Sequence, residues 1–113
     1  MQALCAAAME AVLSTGVFEE GAVRVRALRA DHYVVADGHP ENAFLDLSMR
    51  IGAGRAQEIK QAVGQAVAGA VCAFCAPLFD APHFAFSFEI REIDPELSWK
   101  KNAIHPRLRN GRE

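Results

Sequence analysis

Ala43-Phe44-Leu45-Asp46-Leu47-Ser48-Met49-Arg50-Ile51, followed by Gly52-Ala53-Gly54-Arg55, sets the architecture of this chain. Ala43, Leu45, Leu47, Met49 and Ile51 alternate with Phe44, Asp46, Ser48 and Arg50. Period two with one apolar face predicts a half-buried strand. Gly52 and Gly54 then break it, since glycine accepts the positive φ of a tight strand-to-helix turn. Beyond Arg55 the apolar positions are Ile59, Ala62, Val63, Ala66, Val67, Ala70, Val71 and Phe74, with Glu58, Gln61 and Gln65 off that stripe. This is helical spacing, and Pro77 marks its end. Free amides and the positive end of the helix dipole thus fall beside the Arg55 guanidinium, a corner suited to a carboxylate or phosphate. On residues alone, a glycine turn with a solvated arginine is the default reading of such a loop.

Gly52-Ala53-Gly54 begins like a dinucleotide fingerprint, but Gln57 stands where the third glycine belongs and no ribose-binding acid follows on a second parallel strand. A nucleotide-binding reading is set aside. At 113 residues, 51% of them hydrophobic, the chain is one folded domain with one core. A formal net charge of −2 argues against nucleic acid as a partner. The sequence carries neither an apolar run of membrane-spanning length nor a signal-peptide pattern. Three cysteines, Cys5, Cys72 and Cys75, do not make a disulfide framework and suit a reducing cytoplasm. Cys72-Ala73-Phe74-Cys75 spells C-x-x-C at the end of the long helix, whereas a redox pair sits at a helix start, where the dipole lowers the thiol pKa. The four histidines are scattered, so no metal site is expected and the cysteines read as packing residues.

Ahead of the central stretch, Met1–Ser14 is Ala-rich with Leu4, Ala8, Ala11 and Val12 at helical spacing, ending near Gly16. No N-capping residue precedes it. Ala22–Leu28 alternates, Val23, Val25 and Ala27 against Arg24, Arg26 and Leu28, and predicts another strand. Asp37-Gly38-His39-Pro40 predicts the turn between the two strands. Phe84–Ile93 alternates again, with Phe84, Phe86, Phe88 and Ile90 opposite Ser87, Glu89 and Arg91. The tail, Glu96–Glu113, carries Trp99 and is expected to fray beyond about Leu108.

The second half therefore reads strand–helix–strand, a βαβ unit. The first half reads helix–strand, the same unit without its leading strand. The expected fold is α/β, a two-layer sandwich with both helices on the apolar face of a mixed sheet. The other face collects Arg24, Arg26, Asp46, Ser48, Arg50, Ser87, Glu89 and Arg91. It is either a solvated face or a polar subunit interface whose arginines hold an anionic ligand between chains.

From about Ser14 to Arg109 the sequence resembles the 5-carboxymethyl-2-hydroxymuconate Δ-isomerases of the tautomerase superfamily. The resemblance is carried by Thr15-Gly16-Val17-Phe18, Arg24-Val25-Arg26, Ala36-Asp37-Gly38, Ala43-Phe44, Ile51-Gly52-Ala53-Gly54-Arg55, Ser87-Phe88-Glu89-Ile90, and Trp99-Lys100 with Asn102 and His105. It implies two βαβ units per chain, a homotrimer with sites at subunit boundaries, no cofactor, and a small carboxylate substrate. The implied reaction moves a proton within an unsaturated 2-hydroxy polycarboxylic acid, in aromatic-acid breakdown. An amino-terminal proline on the first strand is the implied general base; its amine, ordinarily of pKa about 7.7–8.0, is lowered by burial beside cations. By position, Arg24 and Arg55 are the implied binders of carboxylate and carbonyl oxygen, Arg26 a weaker one, and Trp99 an apolar wall. For each arginine a structural salt bridge competes.

The implied first strand and its proline have no counterpart here, because Met1-Gln2-Ala3-Leu4 falls within the expected first helix. The expectation is therefore a single tautomerase-like domain over 1–113 lacking its first strand, with no residue to inherit the general base. It is either an isomerase read from too late a start or a non-catalytic binding or assembly module on the same fold.

Overall fold

The computed structural model describes residues 1–111. Helix α1 (Gln2–Ser14) is followed by strand β1 (Ala43–Gly52), helix α2 (Gln57–Phe74), strand β2 (Phe84–Ile93) and the short helix α3 (Ile104–Arg109). No side chain caps the start of α1 at Met1. At its other end the Ser14 and Thr15 hydroxyls donate to the Ala11 and Val12 carbonyls, both at 2.7 Å. Gly16, at φ +70°, then turns the chain away.

β1 and β2 pair in parallel from Ala43 opposite Phe84 to Gly52 opposite Ile93, with α2 as the crossover. Alternation along both strands is preserved in burial. Leu45, Leu47 and Met49 on β1 and Phe84, Phe86, Phe88 and Ile90 on β2 lean toward the helices, while Asp46, Ser48, Arg50, Ser87, Glu89 and Arg91 face outward. The core joins Ala8, Ala11 and Val12 of α1 to Val63, Val67 and Val71 of α2 and to Cys75. Small residues let the backbones approach: a Cβ on Gly64 would sit 3.4 Å from Ile90 Cδ1. The helices-on-sheet arrangement matches the α/β two-layer class read from the sequence.

Two local readings are corrected. The expected α2 stripe is rotated: Ala62 and Ala66 are exposed, as are Ile59 (45%) and Phe74 (47%). The buried line runs Val63, Val67, Val71, Cys75, because the contact with α1 selects one row of a helix that is apolar over more than one face. The expected strand over Ala22–Leu28 is the second correction. Glu20–Ala22 form a 3₁₀ turn and Val23–Leu28 carry no ladder, although Val23 and Val25 pack on the core while Arg24, Arg26 and Leu28 are exposed. Alternation records which side faces the core; a strand also needs a neighbour for its amides and carbonyls, and here the backbone has none among the described residues.

The tail is tied down through Arg109. Its guanidinium pairs with Glu19 and holds that carboxyl below the usual range. Asn102 Nδ2 donates to the Gly21 carbonyl at 2.8 Å, and a Cβ on Gly21 would lie 2.7 Å from His105 Nδ1. Only glycine admits that approach of α3. The carboxylate of Glu19 also lies 3.2 Å from His105 Nδ1, an electrostatic contact off hydrogen-bond geometry. The expected fraying beyond Leu108 falls partly on residues 112–113, outside the described part.

Candidate functional site

The glycine corner is built by the end of β1 and the start of α2. Gly54 takes φ +110°, which lets the chain reverse between them. Ala56 provides no side-chain cap for α2. The Ile59 amide donates to the Ala56 carbonyl at 3.1 Å, which leaves the Gln57 and Glu58 amides at the helix start, where Glu58 alone complements the dipole. Arg55 folds back over this turn. Its Nη1 donates to the Gly52 carbonyl at 3.2 Å, and its guanidinium lies 4.7 Å from the centre of the Phe18 ring. Cation–π contact and one hydrogen bond leave most of the guanidinium donors unspent. Among the described residues no carboxylate pairs with it, so it retains capacity for an anion.

Phe18 is the positioning partner that sequence reasoning missed. It appeared only within a resembling stretch, and the 36 positions between it and Arg55 hide the contact.

Arg24 and Arg26 lie side by side on the exposed face of the extended segment after α1, with no hydrogen bond or ion pair among the described residues. Trp99 is 85% exposed. No hydrogen bond, ion pair or ring contact among the described residues joins Arg24, Arg26, Arg55 and Trp99. On the outer sheet face, Ser87 donates to Asp46 at 2.8 Å and Arg91 to Glu89 at 2.6 Å. The Glu89 hydrogen bond pushes the Arg91 pKa up. Arg50 stands opposite Arg91 in register and has no ion-pair partner among the described residues.

The cysteines pack. Cys75 belongs to the core, and burial pushes its thiol pKa up, away from nucleophilic or redox use. The histidines are less scattered in space than in sequence: His39, Glu41 and His83 converge at the opposite end of the sheet from Arg55. No helix among the described residues is long and apolar enough to cross a membrane.

Comparison with known proteins completes the picture. The family model for "5-carboxymethyl-2-hydroxymuconate isomerase" matches residues 1–108. A 5-carboxymethyl-2-hydroxymuconate Delta-isomerase from Escherichia coli is 34% identical over 92 residues, covering 81% of this chain and 73% of that protein. The crystal structure of a 5-carboxymethyl-2-hydroxymuconate isomerase from Deinococcus radiodurans R1 superposes with a TM-score of 0.89 at 34% identity, over 95% of this chain and 81% of the other. A further 5-carboxymethyl-2-hydroxymuconate delta-isomerase structure gives 0.83 at 26% identity, over 96% and 82%. With the family matched along nearly its whole length and the fold shared with solved relatives, the chain belongs to the 5-carboxymethyl-2-hydroxymuconate isomerase family.

Proposed function

We propose that this protein is an isomerase that moves a proton along an unsaturated 2-hydroxy polycarboxylic acid of the 5-carboxymethyl-2-hydroxymuconate type, in cytoplasmic breakdown of aromatic acids. The observation that carries the proposal is the Arg55 corner: a guanidinium held by Phe18 and the Gly52 carbonyl, at an uncapped helix start, in a chain of this family. Such a corner binds a substrate carboxylate by charge-assisted hydrogen bonds. Arg24, supported by Arg26, would hold the second carboxylate or the oxygen on which charge develops. The named relatives are all isomerases, so the alternative of a non-catalytic module is not favoured.

The working unit in this proposal is a homotrimer of single tautomerase-like domains, with the site closed by a neighbouring chain. Three observations support it. The radius of gyration is 16.4 Å, against about 13 Å for a compact chain of this length. Leu28, Val34, Leu97 and Trp99 are each more than 70% exposed, more apolar surface than a monomer ordinarily leaves in water. Arg24 and Arg26 point away from their own core. Sedimentation equilibrium at micromolar concentration is expected to give three times the 12.3 kDa chain mass. A stable monomer would remove the shared site.

Binding of a saturated, non-isomerisable dicarboxylate analogue tests the corner without requiring turnover. Arg55→Ala is expected to weaken binding roughly ten- to a hundredfold by calorimetry, since a charge-assisted contact is worth about 1.5–3 kcal/mol, and Arg24→Ala should act likewise. Unchanged affinity in Arg55→Ala would return the residue to a structural role.

A further inference from the structure

The start of the sheet holds a cluster set apart from the Arg55 corner. His39 and Glu41 lie in the turn before β1, and His83 immediately precedes β2. The ten residues of β1 separate this end from the Gly52–Arg55 corner, roughly 30 Å at about 3.3 Å per residue.

Hydrogen bonding fixes the chemistry here. The Asn42 amide is 9% exposed, and its Nδ2 donates to the Val35 carbonyl at 3.0 Å and to Asp37 Oδ1 at 2.8 Å. Both its donor hydrogens are spent, so its Oδ1 faces His83 and accepts from His83 Nδ1 at 3.0 Å. The His83 proton is therefore on Nδ1, and Nε2 points at Glu41 Oε2, 3.4 Å away. With that tautomer Nε2 directs its lone pair toward Glu41, and a metal ion between the two would be held by both.

The spacing suits a metal. Tetrahedral zinc, with bonds of roughly 2.0–2.2 Å to imidazole nitrogen and carboxylate oxygen, separates its ligand atoms by about 3.3 Å. His39 supplies the third ligand. One ligand atom from each of the three residues lies within 4.8 Å of the others. The His39 ring stacks on His83 with centroids 4.1 Å apart and 25° between planes, so it turns off that face to direct a nitrogen lone pair at a shared ion. His39 Nδ1 accepts from the Glu41 amide at 3.1 Å. Coordination by His39 exchanges the amide bond for a metal bond. The Asp37–Asn42–His83 chain is the kind of outer support that orients a metal-binding imidazole.

We propose that His39, Glu41 and His83 form a site for a divalent transition-metal ion of the zinc type, completed by water, that pins the 35–42 turn to the start of β2. Imidazole with one carboxylate selects zinc, copper or nickel over magnesium or calcium.

The test is calorimetric titration of the chelator-treated 113-residue protein with zinc chloride, alongside thermal unfolding. One zinc per chain and a raised Tm are expected, with no response to magnesium at the same concentration. His83→Gln and Glu41→Gln should each weaken zinc binding at least tenfold. Glu41 is 73% exposed at its side chain, so its replacement leaves the fold in place even if His83→Gln unfolds. Cys72→Ser/Cys75→Ser should bind as the parent does. The proposal fails if zinc does not bind, if binding survives Glu41→Gln undiminished, or if it is lost with the cysteines.

Discussion

A polypeptide of these 113 residues is expected to isomerise the conjugated dienol about 10²–10⁴-fold more slowly than one carrying a proline-headed strand ahead of Met1, the usual contribution of general acid–base catalysis. Arg55 positions an anion, but its contacts are a carbonyl and a phenyl ring, neither of which takes up a proton. The imidazoles of His39 and His83 lie at the far end of β1, and His105 is packed against Gly21 and Glu19. Loss of dienol absorbance in the two polypeptides, with methionine removal verified by mass, reads the difference. The resemblance motivates the design, since it implies a proline amine as general base, and burial beside cations lowers the pKa of an amine. Equal rates would mean that another group is the base, and His32, His83 and His105 would be replaced in turn.

The second large effect is on stability. Val67 is 2% exposed between Val63 and Val71, facing α1. Val67→Asp is expected to abolish folding, because an unpaired buried carboxylate costs several kcal/mol and a domain of this kind has only about 5–15 kcal/mol in reserve. Val67→Ala should cost roughly 1–3 kcal/mol from the cavity alone. The adjacent Ala66 is exposed, so Ala66→Asp should stay within about 0.5 kcal/mol in the isolated chain. Urea unfolding followed by circular dichroism checks all three. Comparable losses for Ala66→Asp and Val67→Asp would mean that α2 sits rotated from the position described.

Much of the βαβ unit was legible because its strands are half-buried. Each face of β1 and β2 carries one kind of residue, and period two names the elements to within a residue of their ends. α2 was legible as a helix but not in its rotation, since alanines surround it and only the facing α1 chooses among rows. Val23–Leu28 showed its buried side without revealing that no ladder forms, because pairing depends on a neighbour. The Arg55 corner could be read from glycine spacing and a following helix. Phe18 beneath it, the Glu19–Arg109 tie, and the meeting of His39 with His83 could not be read. Each joins positions tens of residues apart with no periodic signal.

The register of the sheet bears on how the chain folds. Ala43 meets Phe84 and Gly52 meets Ile93, so each partner lies 41 residues beyond its mate. In a hairpin the pairs nearest the turn close a short loop and lead the rest. Here every rung closes the same long one, at an entropic cost of roughly 3 kcal/mol by the logarithmic law. Neither end can act as a cheap starting point. α2 must first take up much of the intervening chain, and the ladder then engages as a unit, late and with little partial pairing before it.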